Sequence, residues 1–272
     1  MPELPEVETI VRRLRQPLIG RTITKVTYDW PRTISRPAPK EFARRMKGLT
    51  FQSIDRRAKY LVFTVGQDDN LSYILIHLKM SGRLNIVLKA EPISKHDRVI
   101  FDLDNGQQLR FNDVRKFGRV HLVADPAEIT GKHGPEPLDS TFTLKKFREM
   151  IQSRSGAIKP LLLNQNFLAG VGNIYADEAL WSAHIHPLRK VDSLKDAEVA
   201  ALHRSIRKIL NRAIDDQGTD AGDGVIEAGD YTPRVYGREG RPCKRCGYII
   251  HKMWVGQRGT HYCPHCQAKR GK

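Results

Sequence analysis

All four cysteines of the 272-residue chain fall between positions 243 and 266, as Cys243-x2-Cys246 and Cys263-x2-Cys266 with sixteen residues between the pairs. No other feature constrains the fold as tightly. The spacing offers four thiolates to one tetrahedral zinc ion, and a segment this short can hardly build a core without the metal. One structural Zn2+ held by Cys243, Cys246, Cys263 and Cys266 is expected. His251, His261 and His265 lie nearby but are not needed, because four cysteines complete the shell. Two disulfides are the competing reading, disfavoured by the lack of an apolar secretory signal at the start of the chain.

Upstream, the hydrophobic period changes twice. Val7, Ile10, Val11 and Leu14 recur at helical spacing, with arginines on the opposite face and Pro5 suited to a first turn. From Ile23 to about Val123 short runs such as "KVTYDW", "AKYLVFTV", "LSYILIHL", "RVIFDL", "QQLRFNDV" and "GRVHLV" read as strands of an antiparallel sandwich. "DNG" at Asp104–Gly106 signals a hairpin, since Asn-Gly tolerates positive φ. Beyond the proline-rich "GPEPLDS" the period turns helical in "TFTLKKFREMIQ", "AIKPLLLNQ", "NIYADEALWSAHI" and "LKDAEVAALHRSIRKILNRAI". Ser193 and Asp196 look like a capping box opening the last of these.

Charge narrows the class of partner. Lys and Arg outnumber Asp and Glu by 46 to 30, a formal charge of +16, which points to a polyanion such as nucleic acid. Residues 234–272 carry ten Lys or Arg against Glu239 alone, whereas residues 214–233 carry six acids and no Lys or Arg. A basic tail therefore follows an acidic, glycine-rich flap. A membrane surface would call for a basic amphipathic helix with bulky aromatics, and the sequence has neither that nor an apolar span of bilayer length. No membrane association is expected.

The opening "MPELPEVET" carries a possible nucleophile. Methionine ahead of a small residue is commonly trimmed, which would leave Pro2 a free secondary amine. An α-amino group titrates near ~8 and a lysine near ~10.4, so part of such an amine is uncharged at neutral pH. The positive end of the following helix lowers it further. Glu3 could shuttle protons beside it, with Glu6 one turn away. The competing reading is that carboxylates here only complement the helix dipole, and Glu8 is assigned to that role.

In order along nearly the whole chain, "MPELPEVET", "RRAKYL", "HLKMSGR", "VRKFG", "GVGNIYADEAL" and "VYGREGRPCKRCG…GTHYCPHCQ" resemble the formamidopyrimidine-DNA glycosylase family. The "PELPE" start separates the chain from the endonuclease VIII branch, which is otherwise similar. The resemblance implies a glycosylase and abasic-site lyase removing oxidised purines from damaged double-stranded DNA. Pro2 would attack C1′, Glu3 would protonate the sugar ring oxygen, Glu6 would assist, Lys59 would lie at the lesion, and Arg258 would bind phosphate and aid δ-elimination. Met80, Arg115 and Phe117 would fill the hole left by the extruded base, as a flexible filler, a donor and a wedge. Asn173, between Gly172 and a helix start, would meet a phosphate, and His96, Arg154 and Lys159 would add DNA contacts.

Residue type alone leaves alternatives: Lys59 as a snorkelling strand lysine, Arg258 as one more basic residue, Met80 as core filler, Phe117 as a buried strand aromatic. The fold class expected is α+β. Residues 1–126 would form an N-terminal antiparallel β-sandwich with an N-terminal helix, 127–140 a linker, 141–232 a helical helix-two-turn-helix domain with a flexible flap at 215–233, and 233–272 a zinc-finger β-hairpin. The flap looks shorter than the family's and lacks its Gly-Gly-Thr/Ser start. That leaves room for an endonuclease VIII-like enzyme preferring oxidised pyrimidines, or for an inactive protein that only binds damaged DNA. A monomer in the bacterial cytoplasm, associated with the nucleoid, completes the expectation.

Overall fold

The computed structural model describes residues 1–67, 70–219 and 229–269, in two compact units that divide between Lys132 and His133. In the first unit, α1 (Leu4–Leu18) buries Val7, Ile10, Val11, Leu14 and Leu18 along one face. Each such side chain removed from water contributes about 1.5–3 kcal/mol. The chain continues through β1 (Ile23–Tyr28), β2 (Ile34–Arg36), α2 (Pro39–Met46), β3 (Thr50–Arg57), β4 (Tyr60–Gln67), β5 (Asn70–His77), β6 (Gly82–Leu88), β7 (Asp97–Leu103), β8 (Gln107–Asp113), β9 (Arg119–Val123) and α3 (Ala127–Thr130).

The strands form two sheets, β1-β7-β8-β6 and β2-β9-β5-β4-β3. Val26, Leu84, Phe101 and Leu109 of the first sheet share one core with Phe63, Ile74, Ile76 and Val120 of the second, and α1 and α2 add to it. The sandwich is thus as expected, with one correction: β2 runs parallel to β9. A strand of three residues set by a 3-10 turn at Pro31–Thr33 carries no alternation from which its direction could be read. Asp104-Asn105-Gly106 does join β7 to β8, with Gly106 at φ +77°.

The second unit holds α4 (Leu144–Gln152), α5 (Ile158–Leu163), α6 (Asn173–Ser182), α7 (Asp196–Asp215) and the hairpin β10 (His251–Val255) and β11 (Arg258–Tyr262). Thr143 caps α4 by accepting the Lys146 N–H. The box expected at Ser193 and Asp196 lies two residues further on: the Glu198 carboxylate accepts the Lys195 N–H at 2.7 Å, while Ser193 Oγ donates to the Lys190 carbonyl. Residues 220–228 of the acidic flap lie outside the described residues. Its two feet are joined, Thr219 bridging to Asp230. Among the described residues no helix is long and apolar enough to cross a membrane.

Candidate functional site

The first unit concentrates chemistry at the start of α1. Pro2 is buried, and Glu3 and Glu6 are 2% and 4% exposed. They form a reciprocal cap: the Glu6 carboxylate accepts the Glu3 N–H at 2.8 Å, and the Glu3 carboxylate accepts the Glu6 N–H. Two amides that the helix itself cannot satisfy are thereby paired, and the backbone beside Pro2 is fixed. Negative charge at this end also complements the helix dipole.

Lys59, 6% exposed, is in a two-residue turn between β3 and β4, not within a strand. Ala58 before it adopts φ +54°, a left-handed conformation that costs a non-glycine residue about 1–2 kcal/mol. Arg56 holds the turn, donating to the Ala58 carbonyl at 3.0 Å and pairing with Glu8 of α1 at 3.3 Å. Sequence reasoning missed Arg56 and gave Glu8 only the dipole. Together they tie the Lys59 turn to α1.

Met80 and Phe117 are neither core filler nor buried aromatic: they are 41% and 46% exposed, on loops after β5 and β8. The Arg115 guanidinium lies 4.8 Å from the Phe117 ring centroid, and Lys116 between them sits 4.1 Å over the Trp30 ring. His96 is half-buried, its Nδ1 3.1 Å from the Arg98 guanidinium.

In the second unit Arg258 and Arg154 are exposed. Asn173 opens α6 and donates through Nδ2 to the Gly259 carbonyl at 2.9 Å, beside Arg258. Lys159 requires a correction. Expected at the DNA surface, it is fully buried, its ammonium 2.6 Å from Asp177 and donating to Thr260 Oγ1 at 2.7 Å. A charge enclosed with its counter-charge holds α5, α6 and β11 together and has none to present to a phosphate.

Asp177 and Glu178, which sequence reasoning did not single out, both anchor the finger. Asp177 accepts the His261 N–H of β11 at 2.9 Å. Glu178 accepts the Arg234, Val235 and Tyr236 amides at 2.8–2.9 Å. Burial pushes the Glu178 carboxyl above its usual range, against these amides, which favour the charged form. The available signal was an acidic pair inside a helix whose residues Ile174–Leu180 are all buried.

The four cysteine sulfurs lie within 4.8 Å of one another, and all four thiols are free. Cys246 Sγ is 3.5 Å from Cys263 Sγ and 3.3 Å from Cys266 Sγ. Four ligands at ~2.3 Å around a tetrahedral ion stand ~3.8 Å apart, so the cluster fits zinc. Burial and the neighbouring thiols push Cys266 up to about 12, a crowding of sulfurs that a divalent cation relieves. The cluster is one structural zinc site, and the disulfide alternative is set aside.

Comparison with known proteins agrees along the chain. Residues 1–120 match the formamidopyrimidine-DNA glycosylase N-terminal domain, residues 133–223 the H2TH domain of that enzyme, and residues 240–269 the zinc finger found in FPG and IleRS. Formamidopyrimidine-DNA glycosylase of Protochlamydia amoebophila is 43% identical, over 99% of this chain and 100% of its own, and that of Enterococcus faecalis 44% identical, over 100% and 99%. The structure of Lactococcus lactis Fpg with FAPY-dG-containing DNA superimposes with a TM-score of 0.90 at 38% identity, covering 98% of this chain and all of that one. With motifs, fold and relatives in agreement from end to end, the chain belongs to the formamidopyrimidine-DNA glycosylase family.

Proposed function

We propose that this protein is a base-excision repair enzyme that removes oxidised purines, 8-oxoguanine and formamidopyrimidines, from duplex DNA and then cleaves the strand, acting as a monomer on the bacterial chromosome. The observation that carries the reading is the buried Pro2 at the mouth of a capped helix start, with Glu3 beside it. Relatives solved with DNA containing FAPY-dG and with DNA containing carbocyclic 8-oxo-G support the substrate class.

With Met1 removed, the Pro2 nitrogen attacks C1′, the bond from C1′ to the base breaks, and the base leaves with a proton. Glu3 protonates the sugar ring oxygen, the ring opens, and an iminium joins enzyme and sugar. Its electron-withdrawing pull acidifies C2′–H, so the 3′ phosphate leaves by β-elimination and the 5′ phosphate by δ-elimination. Lys59 contributes positive charge at the lesion, and Glu6 keeps the helix start in shape. Met80, Arg115 and Phe117 occupy the gap in the base stack, while Arg258, Asn173, His96 and Arg154 meet phosphates. Zinc folds the finger and takes no part in the chemistry.

The test is a panel of duplexes carrying 8-oxoguanine, a formamidopyrimidine or an oxidised pyrimidine, with borohydride trapping on an abasic duplex. Purine excision above pyrimidine excision and a covalent crosslink are expected. Faster pyrimidine excision would move the enzyme to the endonuclease VIII-like class, and no crosslink with a mature N-terminus would reduce it to a binding protein.

A further inference from the structure

Asp113, the last residue of β8, is fully buried, yet its carboxylate serves two surface loops at once. Ser81, next to Met80, donates its hydroxyl to Oδ1 at 2.5 Å. The Arg115 N–H is shared between the same Oδ1, at 3.2 Å, and Ser81 Oγ, at 3.3 Å. Oδ2 accepts the Gly118 N–H at 2.7 Å. One carboxylate thus closes the loop of Arg115 and Phe117 on both sides and fastens it to the loop of Met80.

The surroundings fix that junction. Gly82 pairs directly with Asp113 across β6 and β8, and a Cβ there would come within 2.6 Å of the Leu78 carbonyl. Lys79 and Lys116, which directly precede Met80 and Phe117, both adopt left-handed conformations, φ +56° and +60°. Such backbone persists only where the surroundings over-determine it. Here the Asp113 hydrogen bonds, the His77 Nδ1 that accepts the Lys79 N–H, and the Trp30 ring under Lys116 do so.

We infer that Asp113 is a positioning residue that holds Met80, Arg115 and Phe117 as one rigid wedge, so that the three enter the base stack together. The inference rests on the proposed role of that trio. It assigns no chemistry to Asp113, which acts through the side chains it sets.

The experiment uses the full-length protein and compares single-turnover excision of 8-oxoguanine in two settings, opposite cytosine in an intact duplex and opposite a one-nucleotide gap. The gap removes the stacked partner, so little stack remains to be prised open. Ser81→Ala cuts only the link between the loops; Asp113→Asn removes one accepting oxygen of the carboxylate; Phe117→Ala removes the wedge itself. A misplacement of this kind is expected to slow excision about tenfold in the intact duplex and less than about twofold opposite the gap, for Ser81→Ala and Asp113→Asn alike. Equal losses on both substrates would mean general loosening and overturn the inference. So would wild-type rates in Ser81→Ala and Asp113→Asn while Phe117→Ala shows the intact-duplex defect, a result that leaves the proposed function standing. If Phe117→Ala shows no such defect, the wedge reading falls and the role of Asp113 with it.

Discussion

Lys159 of α5 and Asp177 of α6 face each other at 2.6 Å with neither side chain exposed to solvent. Removing one partner strands a buried charge, which costs far more than exchanging both for apolar groups. Asp177→Ala is therefore expected to destabilise the second unit by about 3–5 kcal/mol in denaturant unfolding, whereas Lys159→Met with Asp177→Leu is expected to lose less, its remaining cost being the His261 N–H left without an acceptor. A smaller loss for Asp177→Ala than for the double variant would refute this account.

The amine chemistry predicts a strict requirement for a processed N-terminus. A chain carrying an uncleaved N-terminal tag is expected to give no borohydride crosslink on abasic DNA, and Pro2→Gly a strongly reduced one. Intact-mass measurement establishes in each preparation whether Met1 has gone. A full yield of crosslink from the tagged chain would contradict the assignment of Pro2.

Cys263→Ser takes one sulfur from the zinc site. Zinc release, followed with a chromogenic chelator, and loss of DNA affinity are expected together, because the ion folds the hairpin that presents Arg258. Zinc-free protein that binds damaged duplex normally would break that link.

Acid should weaken the first unit in a defined window. Burial, then Arg36, Arg119 and Lys79, hold the His121 imidazole down to about 4. It is neutral in the fold, whereas in the unfolded chain it takes a proton near 6.5. Between these values the unfolded state binds more protons, so stability is complete above about 6.5 and is lost as pH falls toward about 4. His121→Gln is expected to flatten that stretch of a plot of the first unit's urea midpoint against pH. An unchanged slope in the variant would exclude His121.

DNA binding is expected to weaken steeply with salt as phosphate contacts release counterions. Arg258→Ala should lower the slope of log affinity against log salt by about 1 in a titration over several ionic strengths. An identical slope would remove Arg258 from the phosphate contacts.

How much of this could be read in advance depended on whether a residue's task lay within its own segment. The buried face of α1, the Asn-Gly hairpin and the cysteine cluster are local patterns, and each appears where the spacing places it. β3 escaped because "TFQSIDRR" ends in charge and lies at a sheet edge, and β2 because three residues show no period. Lys59 read as a strand lysine because alanine gives no sign of positive φ. Lys159 read as a DNA contact, and Asp177 and Glu178 were not singled out. Their partners toward the finger are a hundred and one, eighty-four and fifty-six to fifty-eight residues away, at Thr260, His261 and Arg234–Tyr236, and no helical period encodes that.

Asp177 and Glu178 are consecutive, so their side chains leave α6 about 100° apart, and each grasps a different part of the finger: one its second strand, the other the stretch leading into it. Both ends of the intervening chain are moored to a single helical turn. The span from Tyr236 to His261 is thus a rope made fast at two cleats on one turn, so any shift of that turn carries both of its ends together.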